Sequence, residues 1–427
     1  MRKVLFVAVM VTALALPASP PANSATLSGR VGISTYLWEY SELDTTDTRH
    51  VQNTGTLSLR LARIADRDIE INTALRGRYD LRNAGDNVDD YHVHHLQLRW
   101  RNIAKRADLT AGRQRLYWPT GSAWIDGAAL AVRPFNRLEV SSYMGMTAPE
   151  DGRFKTTDFD KGHAFGVRAQ FTRAAGRQIA LSFAQRNTER AYGDVELKTI
   201  ASQLLGLDWR CRMNKSWNLY GHANYDVLRE RLSRVHGSIR WQATPEISVN
   251  GQFRFRRPDI AYNSIFWVFG DSRYYEGRMR LDYRFNPDWT VSIGGVLVDL
   301  VDDQVQRFDV GLAHRYFSFM LHGKSGWSGS TIGLSGDALY PLNEKWSLRG
   351  GARYSSFELY EDQEEANSEA GLWGGFLWQV MEQTSVDLEA QYLTQDITTQ
   401  PGISSGDESD FRLLARVSWW FFSRLGQ

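Results

Sequence analysis

The sequence predicts an all-β chain, a transmembrane antiparallel up-and-down β-barrel of about 22 strands in a single domain, with 18 or 20 strands as the alternatives. Three observations predict it. Apolar and polar side chains alternate residue by residue over many segments, short and long connections alternate along the chain, and tryptophans cluster where strands meet the short connections.

The alternation is clearest in Tyr274–Phe285. Tyr275, Gly277, Met279, Leu281, Tyr283 and Phe285 are apolar or small, and Glu276, Arg278, Arg280, Asp282 and Arg284 between them are all charged. A strand sends successive side chains to opposite faces, so one face is apolar and the other ionic throughout. A helix would scatter the same charges around its circumference. Asn286-Pro287-Asp288 turns the chain, and Trp289–Asp299 repeats the apolar alternation.

Composition agrees with this layout. The 427 residues are 42% hydrophobic, and a mean hydropathy of −0.41 excludes a bundle of membrane helices. A membrane barrel passes that test because half of every strand is polar. The one long apolar run, Val4–Leu16, follows Arg2 and Lys3 and precedes the small residues of Ala18–Ala25, which marks residues 1–25 as a secretory signal peptide and 26–427 as the barrel. The first strand follows that leader directly, so a plugged, energised transporter is not expected. Cys211 is the sole cysteine, which excludes an intramolecular disulfide and a thiolate metal cluster. The net charge of +1 gives no reason to expect nucleic acid.

Taken in order, the first strand is Thr26–Tyr40, with Leu27, Val31, Ile33 and Leu37 on one face and Arg30, Ser34 and Tyr36 on the other. His50–Ile64, Asp68–Leu81, Asp89–Arg101 and Arg106–Tyr117 follow, then a short strand at Ala128–Arg133 and a longer one at Arg137–Met146. The middle holds Gly162–Arg173, Gln178–Asn187, Leu197–Arg210, Ser216–Asp226, Leu232–Gln242 and Glu246–Arg256. After Arg273–Phe285 and Trp289–Asp299 come Gln304–His314, Tyr316–Lys324, Thr331–Tyr340, Trp346–Phe357, Ser368–Gln379, Thr384–Thr394 and Asp410–Phe422.

Ala65-Asp66-Arg67, Pro134-Phe135-Asn136, Ala243-Thr244-Pro245 and Pro341–Lys345 read as tight turns, and Ser41–Arg49, Thr147–Lys161, Pro258–Asp271, Glu361–Asn367 and Gln395–Ser409 as long loops. Tight periplasmic turns and long outer loops are the habit of bacterial barrels. Thr147–Lys161, Pro258–Asp271 and Gln395–Ser409 are long enough to fold over or into the opening. Trp100, Trp209, Trp217, Trp241, Trp289, Trp346, Trp378 and Trp419 lie by parity on the apolar face near short turns, as an interfacial aromatic girdle does.

Candidate chemistry is sparse. His92, His94 and His95 have the look of metal ligands, but His92 and His94 share the face of Leu96 and Leu98, and no further ligand is placed to complete a site. The reading puts them at the outer rim, with no metal and no cofactor. Serines, histidines and acids form no recognisable catalytic motif, so no catalytic residue is assigned.

The ionic face carries more information. It receives many arginines and fewer acids, and one arginine braced per acid leaves about half of them unpaired. Arg76, Arg78, Arg254, Arg256, Arg278, Arg280, Arg353, Arg412 and Arg416 fall in the middle to outer half of their strands and are the candidate solute-binding residues. Guanidinium forks suit carboxylate and phosphate.

Gly112-Arg113-Gln114, followed after a loop by Asp126-Gly127, resembles the alginate-export and related porin families. Parity sends Arg113 outward with Leu109 and Ala111, and a bulge at Gly112 would turn it inward. The final strand, Phe411–Phe422, also resembles the aromatic-ended closing strand of outer-membrane barrels, though Ser423–Gln427 extend past it. The resemblance implies an outer-membrane channel for an anionic polysaccharide or small anions. Its expected surroundings are outer-membrane lipid and lipopolysaccharide, with a periplasmic partner as a further expectation. A sheath or scaffold for a partner protein and a barrel-borne enzyme remain open as other classes.

Overall fold

The computed structural model describes residues 25–42, 45–64, 67–81, 90–149, 152–153, 155–173, 176–192, 195–258, 260, 273–301, 303–326, 329–358, 366–397 and 406–425. The expected leader falls outside them except for Ala25. The first strands are β1 (Ala25–Glu42), β2 (Thr45–Ala62), β3 (Ile69–Asp80), β4 (Asp90–Ile103), β5 (Ala107–Trp118), β6 (Gly121–Phe135) and β7 (Leu138–Thr147). Next come β8 (Gly162–Arg173), β9 (Arg177–Tyr192), β10 (Val195–Arg212), β11 (Trp217–Asp226), β12 (Arg231–Gln242), β13 (Ile247–Arg256) and β14 (Tyr274–Asn286). The last are β15 (Trp289–Leu300), β16 (Gln304–His314), β17 (Phe317–Gly326), β18 (Ser330–Pro341), β19 (Trp346–Glu358), β20 (Asn367–Met381), β21 (Thr384–Ile397) and β22 (Gly406–Leu425).

Each strand pairs antiparallel with its neighbours in sequence, and β1 pairs with β22 from Ala25↔Leu425 to Trp38↔Arg412. The described residues therefore form a closed up-and-down barrel of 22 strands. Closure matters because hydrocarbon offers a backbone N–H or C=O no partner, so a lipid-facing sheet must have no free edge.

Side-chain exposure separates the two faces. Met279 and Leu281 are 63% and 40% exposed, and on the neighbouring strand Ile293 and Leu297 are 54% and 64% exposed. Water would not favour so much apolar surface, and lipid does. The alternate residues, Glu276, Arg278, Arg280 and Asp282 on β14, pair across to Arg254, Gln252, Asn250 and Ser248 of β13 and line the lumen. At the short-turn end Trp217 stacks on Trp241 at 5.3 Å and Trp346 on Trp378 at 5.0 Å. Trp289 packs among Phe285, His314 and Phe317. These are the expected girdle.

Four expectations are corrected. Ser41–Arg49 is mostly strand, since β1 runs to Glu42 and β2 begins at Thr45, and strand reaches into both ends of Gln395–Ser409, where β21 runs to Ile397 and β22 begins at Gly406. The backbone ladder of β1 and β2 continues to Tyr40↔Thr48 and, after a register shift, Glu42↔Thr45. The stretch from Trp118 to Gly127 is not a loop: β6 begins at Gly121, and β5 and β6 form one hairpin turned by Pro119 and Thr120. A register shift opposite Ala74/Leu75 moves His92 from the face of Leu96 to the lumen, where it pairs across with Arg76. Pro258–Asp271 lies outside the described residues apart from Pro258 and Ile260.

The two faces should tolerate charge unequally. Ile293→Arg is expected to cost about 2–4 kcal/mol if it lies near the bilayer midplane. Thr290→Arg, on the lumen face of the same strand, should change stability little. Bilayer refolding titrations of the two variants would show it, and equal tolerance would contradict the membrane-spanning assignment.

Candidate functional site

One hairpin does not stay in the wall. β4 and β5 pair only as far as Leu96↔Arg113, whereas β5 and β6 stay paired to Trp118↔Gly121. Beyond Arg113 the hairpin leaves β4 and leans into the barrel. Gly112 permits the bend: its φ is +112°, and a Cβ there would stand 2.2 Å from the Leu96 carbonyl oxygen. No register shift occurs between β5 and β6, so the whole hairpin bends and a single residue does not bulge.

The expected motif residues meet at the bend. Arg113 and Asp126 are cross-strand partners, and the Arg113 Nε and Nη2 groups each donate to Asp126 at 2.7 Å. Nη1 donates to the Arg153 carbonyl at 2.8 Å, and Nη2 also donates to the Lys155 carbonyl at 2.9 Å. The Arg113 side chain is only 4% exposed. It does not face solute. It ties the hairpin to the segment that follows β7. That segment replaces the departed strand: Val93 N–H donates to the Gly152 carbonyl at 2.9 Å, and His92 forms a bridge with Arg153.

The front of the hairpin is packed against the inner wall. Ile125 is fully buried with Tyr143 and Ala164, and Leu116, Trp118, Ala123 and Ala129 pack around them. Trp118 meets Tyr143 edge to face at 4.8 Å. The tip crosses the lumen as far as β10 and β11. Asn224 Nδ2 donates to the Pro119 carbonyl at 2.8 Å. Thr120 is buried against Gly206, where any Cβ would come within 2.4 Å of the Thr120 methyl. The gap at Gly206 is shaped for this tip. The sequence reading missed the inserted hairpin because its two-residue turn, Pro119-Thr120, carries no glycine of its own.

The wall arginines are arranged in depth. Among the described residues Arg60, Arg78, Arg168, Arg254, Arg278, Arg280, Arg349, Arg353 and Arg412 have a carboxylate within 4.0 Å. In several pairs the acid lies beneath the base. Arg254 and Arg278 are 43% and 48% exposed, and the Glu276 they share is 8% exposed. Arg60 is 53% exposed over a Glu70 at 7%, which also receives Arg99 and Arg101. Acid anchors hold guanidinium groups toward the lumen.

Of the nine candidate residues, Arg78 meets Asp90, Arg254 and Arg278 meet Glu276, Arg280 meets Asp282 at 2.8 Å, Arg353 meets Glu369 and Arg412 meets Asp410. Arg76, Arg256 and Arg416 have no carboxylate within that range among the described residues. Three more basic side chains that are not among the nine candidates, Arg99, Arg113 and Arg115, belong to the hairpin region. No group of three or more His, Cys, Asp and Glu residues is arranged to hold a metal ion among the described residues.

The family described as "LPS transport system D" matches residues 161–289, from the end of the segment after β7 to the start of β15. No curated protein sequence matches the chain. A mutant ferric enterobactin receptor, PfeA of Pseudomonas aeruginosa, is similar with a TM-score of 0.58 and 8% identity, over 92% of this chain and 80% of the receptor. The translocation pore of the P pilus usher PapC gives 0.49 with 7% identity, over 92% and 99% of the two chains. OccAB4 of Acinetobacter baumannii gives 0.43 with 10% identity, over 95% and 100%. The likeness to the receptor shows the barrel fold alone.

Removing the anchor should free the hairpin. Arg113→Ala leaves Asp126 without its partner and removes a donor from the Arg153 and Lys155 carbonyls, at a cost of about 3–5 kcal/mol for breaking a buried pair. Arg113→Lys should recover part of this, because an ammonium cannot span the same oxygens. Thermal unfolding in detergent and single-channel conductance in planar bilayers report the two effects, with lower stability and higher conductance expected. Unchanged conductance for Arg113→Ala would show that the hairpin does not narrow the pore.

Proposed function

We propose that the chain is a channel of the bacterial outer membrane whose basic lumen passes anionic solutes, such as an acidic polysaccharide like alginate or small carboxylated sugars, and that it is not an enzyme. One observation carries this reading: carboxylates sit under the arginines they hold, as Glu276 does under Arg254 and Arg278. A passing solute then meets guanidinium groups before it meets acids. Fixed cations around a narrowed path lower the barrier for anions and raise it for cations. Arg76, Arg78, Arg254, Arg256, Arg278, Arg280, Arg353, Arg412 and Arg416 are the side chains proposed to contact the solute, passing it between forks without holding it.

The match to the "LPS transport system D" family over residues 161–289 favours a second reading, in which lipopolysaccharide is the transported or associated molecule. Binding of purified lipopolysaccharide to the detergent-solubilised protein, compared with its neutral-lipid counterpart, separates the two.

Reversal potential in a salt gradient tests the channel reading, for the wild type and for Arg278→Glu combined with Arg280→Glu. The wild type should prefer anions. The variant should lose or invert that preference, and high salt should mute the difference through screening. A cation-selective or silent wild type would overturn the reading and leave a sheath around a partner protein in its place.

A further inference from the structure

We propose that Arg115, carried into the lumen by the inserted hairpin, is the specificity-determining residue of the channel, at a site for organic anions bearing a carboxylate or a phosphate. This rests on the channel reading and deepens it, since strand parity alone would send Arg115 to the lipid. Arg115 pairs across with Trp124 on the back of the hairpin, one residue on from the Leu116 and Ala123 that pack the front. Because the hairpin has left the wall, this back face looks across to the lumen face of β4. Arg115, Tyr117 and Trp124 then line one cavity of 620 Å³ with His95, Gln97 and Arg99.

The chemistry of that cavity differs from that of the wall. Among the described residues no carboxylate lines it. Arg99 is drawn toward Glu70 at 3.3 Å, but Arg115 has no ion-pair partner among the described residues. Its guanidinium carbon lies 5.1 Å from the centroid of the Tyr117 ring, a cation–π contact that steadies the group and leaves its donors open. The buried Nε1 donor of Trp124 has no hydrogen-bond partner among the described residues. Tyr117 is 70% exposed, so an aromatic face stands bare beside the guanidinium. A cavity of this size falls in the range that holds small organic ligands, well above what an inorganic ion needs. An anionic end on the Arg115 fork and a ring against Tyr117 would fill it.

Isothermal titration of the full-length protein in detergent tests the site without requiring conductance. The probes are benzoate, glucose 6-phosphate and glucose. Benzoate and glucose 6-phosphate should bind and glucose should not. Preference for one anion over the other identifies carboxylate or phosphate as the group the fork takes. Arg115→Gln should weaken binding of the anions at least tenfold, and Tyr117→Ala should weaken benzoate more than glucose 6-phosphate. Failure of both anions to bind the wild type, equal binding of glucose, or unchanged affinity in Arg115→Gln would each overturn the proposal. Single-channel recording supplies the remaining control. If Arg115→Gln opened the pore as far as Arg113→Ala, the residue would be holding the hairpin and the assignment would fall. A silent wild type that still binds benzoate through Arg115 would instead remove the channel reading and leave the site.

Discussion

A hairpin can leave a barrel wall only if the backbone groups it abandons find other partners, and the lumen of this protein depends on how that is met. The edge of β4 loses its neighbour beyond Leu96, and the segment at Gly152 and Arg153 takes the vacant place. That segment is not a strand of the ladder, so its own carbonyls at Arg153 and Lys155 need donors. Arg113 supplies them with the same guanidinium that holds Asp126. One side chain therefore fixes the bend, the patch in the wall and the position of the tip. An arginine is suited to the task because its donors lie in a rigid plane and it cannot lose its charge.

The pairing of the wall arginines does not neutralise the lumen in the way a count of pairs suggests. Glu276 answers two guanidinium groups and Glu70 three, and both acids are buried beneath the bases they hold. Half-exposed pairs of this kind add little to stability. Their effect is positional: a long, mobile side chain is held in one place with its remaining donors turned to water. Around Arg349 the balance is reversed, since Asp387 and Glu389 both approach it. The basic character of the inner surface is uneven around the barrel.

The barrel was legible in the sequence because period-two patterning has one structural meaning over so many segments. Even the lipid-facing identity of Ile293 and the luminal identity of Arg278 follow from parity. Parity fails where the register slips or the sheet bends. His92 changes face because an extra residue enters β4 opposite Ala74/Leu75, and nothing in Tyr-His-Val-His-His-Leu announces that insertion. Arg115 changes compartment with no change of face, because its whole hairpin moves. The pair Gly112-Arg113 and Asp126-Gly127 did carry a signal, and the four residues do come together across the strands. Its meaning was missed because a buried bracing arginine and a solute-binding arginine look alike in one dimension.

The displacement of the hairpin bears directly on the proposed channel. A wide barrel with charges only on its wall would leave its axis weakly biased, because at physiological salt a fixed charge is screened within about 8 Å. The inserted hairpin changes the geometry. Its front is fastened to Tyr143, Ala164, Gly206 and Asn224, which leaves its back to face the cavity shared with β4. There Arg115 faces the β4 side chains Gln97 and Arg99 across a single cavity. A solute confined to that cavity stays within the screening distance of at least one guanidinium, and the low-dielectric walls on both sides strengthen the interaction. On the proposed channel reading, the hairpin adds a local basic site to the bias spread over the wall, and it does so by bringing into the lumen a residue that its strand position assigns to lipid.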